Sequence, residues 1–190
     1  MRLFDVLGPV MTGPSSSHTA GAVRIGLTAR NLLGEAPKTA EILLHGSFAA
    51  TGRGHGTDRA LVAGLLGLSP ADVRVPDSFR LARERGLDFR FTPCTAETEV
   101  HPNTVDIRMV NAAGQEMTVR GESLGGGKVR IARINGVEVD FTAAAPVLTG
   151  QVSLSLKLYQ LLWLGLHFGL RALSTYVNHR NRHKQQREAV

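Results

Sequence analysis

Apolar and polar positions alternate with two different periods along the chain, and the change of period divides it. Met1 to Met11 carries Leu3, Phe4, Val6, Leu7, Val10 and Met11 and predicts a short strand or extended entry. A polar stretch follows, and then Ala22 to Leu33 reads as a helix, with Val23, Ile25, Leu27, Leu32 and Leu33 apolar and Gly34 as its stop. Ala40 to Ser47 predicts a buried strand. A glycine-punctuated loop, Phe48 to Asp58, leads into a helix over Arg59 to Leu66. Ser69-Pro70-Ala71-Asp72 has the form of a capping box opening a short turn. Pro76 to Arg85 predicts a further helix, closed by Gly86.

From Leu87 onward the period is two. Leu87, Phe89 and Phe91 share one side of a strand, and Val105, Ile107 and Met109 share one face of a second strand over Thr104 to Val110. Asn111 to Gln115 makes a turn, and Glu116 to Gly121 returns with Met117 and Val119 inward. Lys128 to Ile134 and Val137 to Phe141 form a hairpin through Asn135-Gly136, the pair that favours a type I′ turn. That register places Ile134 opposite Val137, Ala132 opposite Val139, and Arg133 opposite Glu138 as an exposed ion pair. Helices in the first half and antiparallel strands in the second predict an α+β domain, with helices packed on a largely antiparallel sheet.

The chain has 190 residues, enough for one core and a small second unit. Its net charge of +6 is unevenly spread. Residues 1–145 hold 16 basic against 15 acidic side chains, and residues 146–190 hold 6 against 1. The high isoelectric point therefore belongs mostly to the tail and argues against nucleic-acid binding by the main domain. The lone cysteine, Cys94, excludes an internal disulfide and fits a reducing cytoplasm. The N-terminus shows no apolar core of a signal peptide.

Chemistry concentrates in loops. Gly13-Pro14-Ser15-Ser16-Ser17-His18-Thr19-Ala20-Gly21 sets hydroxyls and a histidine ahead of a helix. This is an N-cap signal, and the same groups at a positive helix end can bind an anion. His55 lies between glycines and His101 opens a His-Pro-Asn turn, so with His18 three loop histidines could converge for acid/base work near neutrality. His45, at a strand end, reads as an interior histidine. No His-x-x-x-His or Cys-x-x-Cys pair suggests a zinc site. Gly52, Gly54 and Gly56 are spaced Gly-x-Gly-x-Gly, which fails the dinucleotide fingerprint. The run Gly125-Gly126-Gly127-Lys128 lacks the P-loop spacing. It reads either as a bend before a strand or as bare backbone that approaches a ligand.

Taken together, Gly13 to Thr19, Gly46-Ser47-Phe48 with Thr51 to Asp58, His101-Pro102-Asn103-Thr104 and Gly125-Gly126-Gly127 resemble the β chain of the bacterial iron–sulfur L-serine dehydratases (L-serine deaminases). The four motifs stand in the family's order over residues 1–142, which the resemblance assigns as a serine dehydratase β domain. The resemblance implies conversion of L-serine to pyruvate and ammonia on a [4Fe-4S] cluster with one iron open to the substrate hydroxyl. It places the cluster cysteines on a separate α chain, the partner of this one. One cysteine cannot hold such a cluster, and the four lysines lie in no Schiff-base motif. By the same resemblance Ser15, Ser16, Ser17 and Thr19 bind the substrate carboxylate, with Gly126 and Gly127 beside it. His18, His55 and His101 serve proton transfer or substrate orientation. Some relatives carry a second histidine where this chain has Gly56.

Two-chain relatives continue into an ACT-type regulatory domain, whereas residues 143–190 read as an atypical tail. Leu154 to Leu173 is leucine-rich but broken by Lys157, Gly165, His167, Gly169 and Arg171, and the stretch between Lys157 and Arg171, which includes Gln160, is too short for a membrane span. An amphipathic helix for a membrane surface or partner, or a frameshifted C-terminus, are the two expectations for it.

Overall fold

The computed structural model describes residues 10–143, apart from 53, 95, 96 and 98. The chain divides into two units, Met1–Pro146 and Val147–Val190. Of the entry strand expected over Met1–Met11 only Val10 and Met11 are described, and they are not in a strand; of the tail expected over 143–190 only Ala143 is described, as the last residue of a strand, and the rest lies outside the described residues. Among the described residues no helix is long and apolar enough to cross a membrane.

Among the described residues six strands form one sheet: β1 (Pro37–Leu44), β2 (Asp88–Pro93), β3 (Thr104–Asn111), β4 (Glu116–Gly125), β5 (Lys128–Ile134) and β6 (Val137–Ala143). Their spatial order is β2-β1-β3-β4-β5-β6. The β1–β2 pair is parallel and every other pair antiparallel. The fold is therefore α+β on a largely antiparallel sheet, as the change of period predicts.

Alternation dictates one buried face. Ala40 and Ile42 on β1, Val105, Ile107 and Met109 on β3, Met117 and Val119 on β4, and Val129 and Ile131 on β5 are all buried. The intervening positions carry cross-strand ion pairs. Glu41 meets Arg90 and Arg108, Glu116 meets Arg108, and Glu138 meets Arg133.

Among the described residues four α-helices accompany the sheet: α1 (Ala22–Leu33), α2 (Gly46–Thr51), α3 (Thr57–Leu65) and α4 (Ser78–Glu84). The longest, α1, packs on α3 where two glycines let the backbones meet. A Cβ on Gly64 would lie 2.2 Å from the Val23 carbonyl oxygen, and one on Gly26 would lie 2.4 Å from that of Leu61. Ile25 of α1 fills the space above Gly121 of β4, which ties the helix pair to the sheet.

Three details depart from the sequence reading. The glycine loop expected from Phe48 to Asp58 begins with a helix, because Gly46-Ser47-Phe48-Ala49-Ala50-Thr51 closes into α2 and buries Phe48. The strand expected to end at Ser47 stops at Leu44 for the same reason. In the β5–β6 hairpin, Ile134 faces Val137 and Arg133 faces Glu138, but a bulge then sets Ile131 opposite Phe141. The bulge takes up one extra residue of β6 and removes the expected Ala132–Val139 pair. At the turn itself Asn135 and Gly136 have φ of 49° and 81°, both positive as type I′ requires.

Candidate active site

The serine segment folds as a cap followed by one wide turn. Ser15 is extended (φ −137°, ψ 126°), and its Oγ accepts from the His18 amide at 3.1 Å. The Ser15 carbonyl takes the amides of Thr19 and Ala20 at 2.9 and 3.2 Å. Ser16–Gly21 forms a π-helical turn that runs straight into α1. Wide turns of this kind concentrate at functional sites. The expected serine cap is present, and it presents the His18 side chain toward α2.

His18 sits in a cage of hydroxyls. Its Nε2 lies 3.0 Å from Ser47 Oγ and 3.2 Å from Thr51 Oγ1, both on α2, four residues apart and hence on one helix face. Its Nδ1 lies 3.2 Å from Ser17 Oγ. The tautomer follows from hydrogen-bond accounting. Thr51 Oγ1 donates its one proton to the Ser47 carbonyl at 2.9 Å, so toward His18 it accepts. Nε2 therefore carries the ring proton, and Nδ1 accepts from Ser17. With its proton so directed, Ser17 Oγ accepts from Ser15 Oγ at 3.4 Å. One polarised chain thus runs from Ser15 through Ser17 and His18 to α2.

Electrostatics favour the neutral ring. Burial lowers the His18 pKa from its usual value, and the neighbouring His55 lowers it further against a smaller opposing effect of the Ser47 backbone carbonyl. The His18 and His55 rings lie 5.1 Å apart, and the Phe48 edge closes the third side of His18 at 5.3 Å. His55 itself is exposed, with Nδ1 donating to the Thr51 carbonyl at 3.3 Å. Its loop is tied back by Thr19, whose buried hydroxyl donates to the His55 carbonyl at 3.0 Å. The Thr19 hydroxyl is thus engaged as a tether, while Ser15, Ser16 and Ser17 are half-buried at the surface of the segment.

His101 occupies the adjoining turn. The Pro102 carbonyl accepts from the amides of Ser47 and Phe48 at 2.7 and 3.3 Å, which fastens this turn to the start of α2. The Asn103 amide donates to His101 Nδ1 at 3.1 Å, so in the neutral ring Nε2 holds the proton. The structure brings His18 and His55 into ring contact and joins His101 to them through α2.

The glycine run forms the β4–β5 turn, with φ of 90°, 58° and 75° at Gly125, Gly126 and Gly127. Those values account for the glycines as a bend. Gly127 is buried and its carbonyl accepts from Arg24 of α1, whereas Gly126 is exposed. The same hairpin reaches the serine segment through Ser123, whose Oγ donates to the Ser17 carbonyl at 2.9 Å. The hydrophobic pattern of the sequence does not mark Ser47, Thr51 and Ser123 as contacts of the segment. The signal for the first two is their i, i+4 spacing within the Gly46 to Thr51 motif, which becomes visible once that motif is helical. Among the described residues, no group of three or more His, Cys, Asp and Glu could hold a metal ion.

This hydroxyl-and-imidazole cluster is built from the segments that carry the sequence resemblance, and comparison with known proteins decides what they belong to. The family model for the serine dehydratase beta chain matches residues 3–133. The chain belongs to the serine dehydratase β chain family. It is 48% identical over 138 residues to the L-serine dehydratase beta chain of Peptoniphilus asaccharolyticus, covering 73% of this chain and 62% of that one. It is 44% identical over 146 residues to the probable L-serine dehydratase beta chain of Bacillus subtilis (strain 168), covering 77% of this chain and 66% of the relative. A shorter match, 39% identical over 94 residues, links it to L-serine dehydratase 1 of Escherichia coli (strain K12), covering 45% of this chain and 20% of that one. The chain therefore spans somewhat under two thirds of the length of the β chains it matches.

Proposed function

We propose that this chain is the β subunit of an L-serine ammonia-lyase, the enzyme that converts L-serine to pyruvate and ammonia. The observation that carries the reading is the convergence of the Ser15 and Ser17 hydroxyls, the neutral His18 and the His55 ring on one small surface next to α2. Ser15, Ser16 and Ser17 take the substrate carboxylate through hydroxyl and amide donors. Thr19 holds the His55 loop in place, Ser123 anchors the segment, and the backbone of Gly126 and Gly127 in the same turn completes the carboxylate site. His18, His55 and His101 move the α-proton and orient the amino acid. A neutral imidazole at physiological pH suits a base, and His18 is held in that state by its surroundings.

The [4Fe-4S] cluster of this chemistry, when bound, would assist loss of the substrate hydroxyl. This chain does not fit it as a holder. A cluster needs several thiolates, and Cys94 is the sole cysteine. The reading accordingly assigns the cluster to a partner α chain, and the site is completed where that chain meets the serine segment.

The test is co-expression with a cysteine-bearing α chain under anaerobic conditions, followed by assay of pyruvate from L-serine. The expected result is activity with the wild-type pair, and its loss by at least a hundredfold in His18→Ala and His55→Ala variants that remain folded. Serine binding by the isolated chain without turnover in the pair would instead make it a binding module.

A further inference from the structure

A second polar cluster lies behind the site and has no part in the roles assigned above. His45 links β1 to α2, and its side chain is fully buried. Its Nε2 stands 2.8 Å from Asp106 Oδ2 on β3. Arg120 on β4 holds the same carboxylate with Nε at 2.7 Å and Nη2 at 2.6 Å, and it also reaches Glu97 at 2.9 Å. His45 Nδ1 is buried with no hydrogen-bond partner. Because an orphaned buried donor is rarer and costlier than an orphaned acceptor, the proton sits on Nε2 and is donated to Asp106. The burial of Asp106 works against its charge, but Arg120 and His45 outweigh it and hold its pKa below the usual carboxylate value.

A buried polar network of this kind, with one atom left unpaired, adds little stability over an apolar filling. Its geometric consequence falls on α2. The His45 amide donates to the Thr104 carbonyl at 3.0 Å, and the His45 carbonyl accepts from Ala49 at 3.2 Å. The next residue, Gly46, has a φ of +46°, and a Cβ there would lie 2.7 Å from the Pro102 carbonyl oxygen. The chain therefore turns sharply between His45 and Ser47, and a pinned His45 side chain fixes where the turn begins. Ser47 Oγ is then 3.0 Å from His18 Nε2.

We infer that His45, Asp106 and Arg120 form a positioning network that sets the start of α2, so that Ser47 and Thr51 hold the His18 ring in register with the serine segment. The kinetic side of this inference rests on the L-serine ammonia-lyase reading; the structural side does not.

The experiment reads His18 directly. Full-length chain labelled with ¹⁵N at histidine is titrated by NMR as wild type, Ser47→Ala, His45→Leu, His45→Gln and Asp106→Asn, with the His18 signal assigned by its loss in His18→Gln. The groups facing His18 are the His55 ring, the Phe48 edge, the Ser47 carbonyl and the hydroxyls of Ser17, Ser47 and Thr51. Loss of the Ser47 hydroxyl, an acceptor that binds the charged ring more strongly than the neutral one, moves the His18 midpoint down, and His45→Leu and Asp106→Asn move it the same way. His45→Gln keeps a donor toward Asp106 and recovers most of the shift. In the co-expressed pair the first two lower kcat roughly tenfold to a hundredfold, with a smaller change in KM. Should His45→Leu fail to fold, Asp106→Asn, nearly isosteric, decides. A folded variant with an unmoved His18 midpoint overturns the inference even if the pair makes pyruvate. A moved midpoint in a pair that makes no pyruvate leaves the network standing and refutes the enzymatic reading.

Discussion

Replacing Gly21 by alanine probes how tightly the serine segment is fitted to the sheet. Gly21 ends the π-helical turn with ordinary helical dihedrals, φ −61° and ψ −45°. On conformational grounds alone, alanine there would stabilise the chain by about 0.4–1 kcal/mol. The structure opposes this gain. A Cβ on Gly21 would lie 2.1 Å from Ser123 Oγ and 2.9 Å from Ser123 Cβ, an overlap that costs about 1–3 kcal/mol. The single variant is therefore expected to lose up to about 2.5 kcal/mol. Ser123→Gly removes both clashing atoms. It also costs about 1 kcal/mol for the bond to the Ser17 carbonyl and about 0.5–1 kcal/mol for glycine in a strand. In that background the nearest atom to the new methyl is the Ser16 carbonyl oxygen at 3.5 Å, an ordinary contact. Gly21→Ala should then change sign and stabilise by about 0.4–1 kcal/mol. Urea denaturation of the four members of the cycle, at constant m-value, measures this. Equal effects of Gly21→Ala in both backgrounds, within about 0.5 kcal/mol, would refute the claim that Ser123 is what excludes a side chain at position 21.

Other consequences can be measured in the same way. Because the folded pKa of His18 is depressed, the unfolded chain binds more protons between that value and the usual one of 6.5, so stability is present above that window and is lost as pH falls through it; His18→Gln should flatten this part of the pH–stability curve. Asp106, likewise depressed, contributes stability above the usual carboxylate value of 3.8 that disappears as pH falls through its folded pKa, and Asp106→Asn should abolish that acid limb. Gly64→Ala places a methyl against the Val23 and Leu27 backbone, which has little freedom to move, and should lower stability by about 1–3 kcal/mol in thermal melts.

The parts of the fold that the sequence made legible are those where burial is one-sided. Val105, Ile107 and Met109 alternate with Asp106 and Arg108, so β3 announces both its conformation and its buried face. The cap at Ser15 was legible because a Ser/Thr cluster ahead of apolar helical spacing has few other uses. What stayed hidden is of two kinds. The short α2 has six residues, no side-chain cap and a glycine start, so it offers no period to detect, and with it went Ser47 and Thr51. The partnership of His45 with Asp106 and Arg120 depends on strands 61 and 75 positions away in sequence being neighbours in the sheet, which alternation alone does not order. The bulge in β6 is a single-residue event that leaves no mark on the pattern of hydrophobicity. At the glycine run, the positive φ angles now supply a structural reason for residues that the motif alone could not assign to bend or ligand.

Under the proposed function, the serine segment and its histidines form the substrate-binding half of an enzyme completed by a cluster-bearing chain. The most direct test is the steady-state rate of pyruvate release from L-serine by the wild-type chain paired anaerobically with a cysteine-bearing α chain, set against the α chain alone. Turnover that requires both chains is the expected result. A correctly folded, cluster-loaded pair that releases no pyruvate above the α chain alone would contradict it.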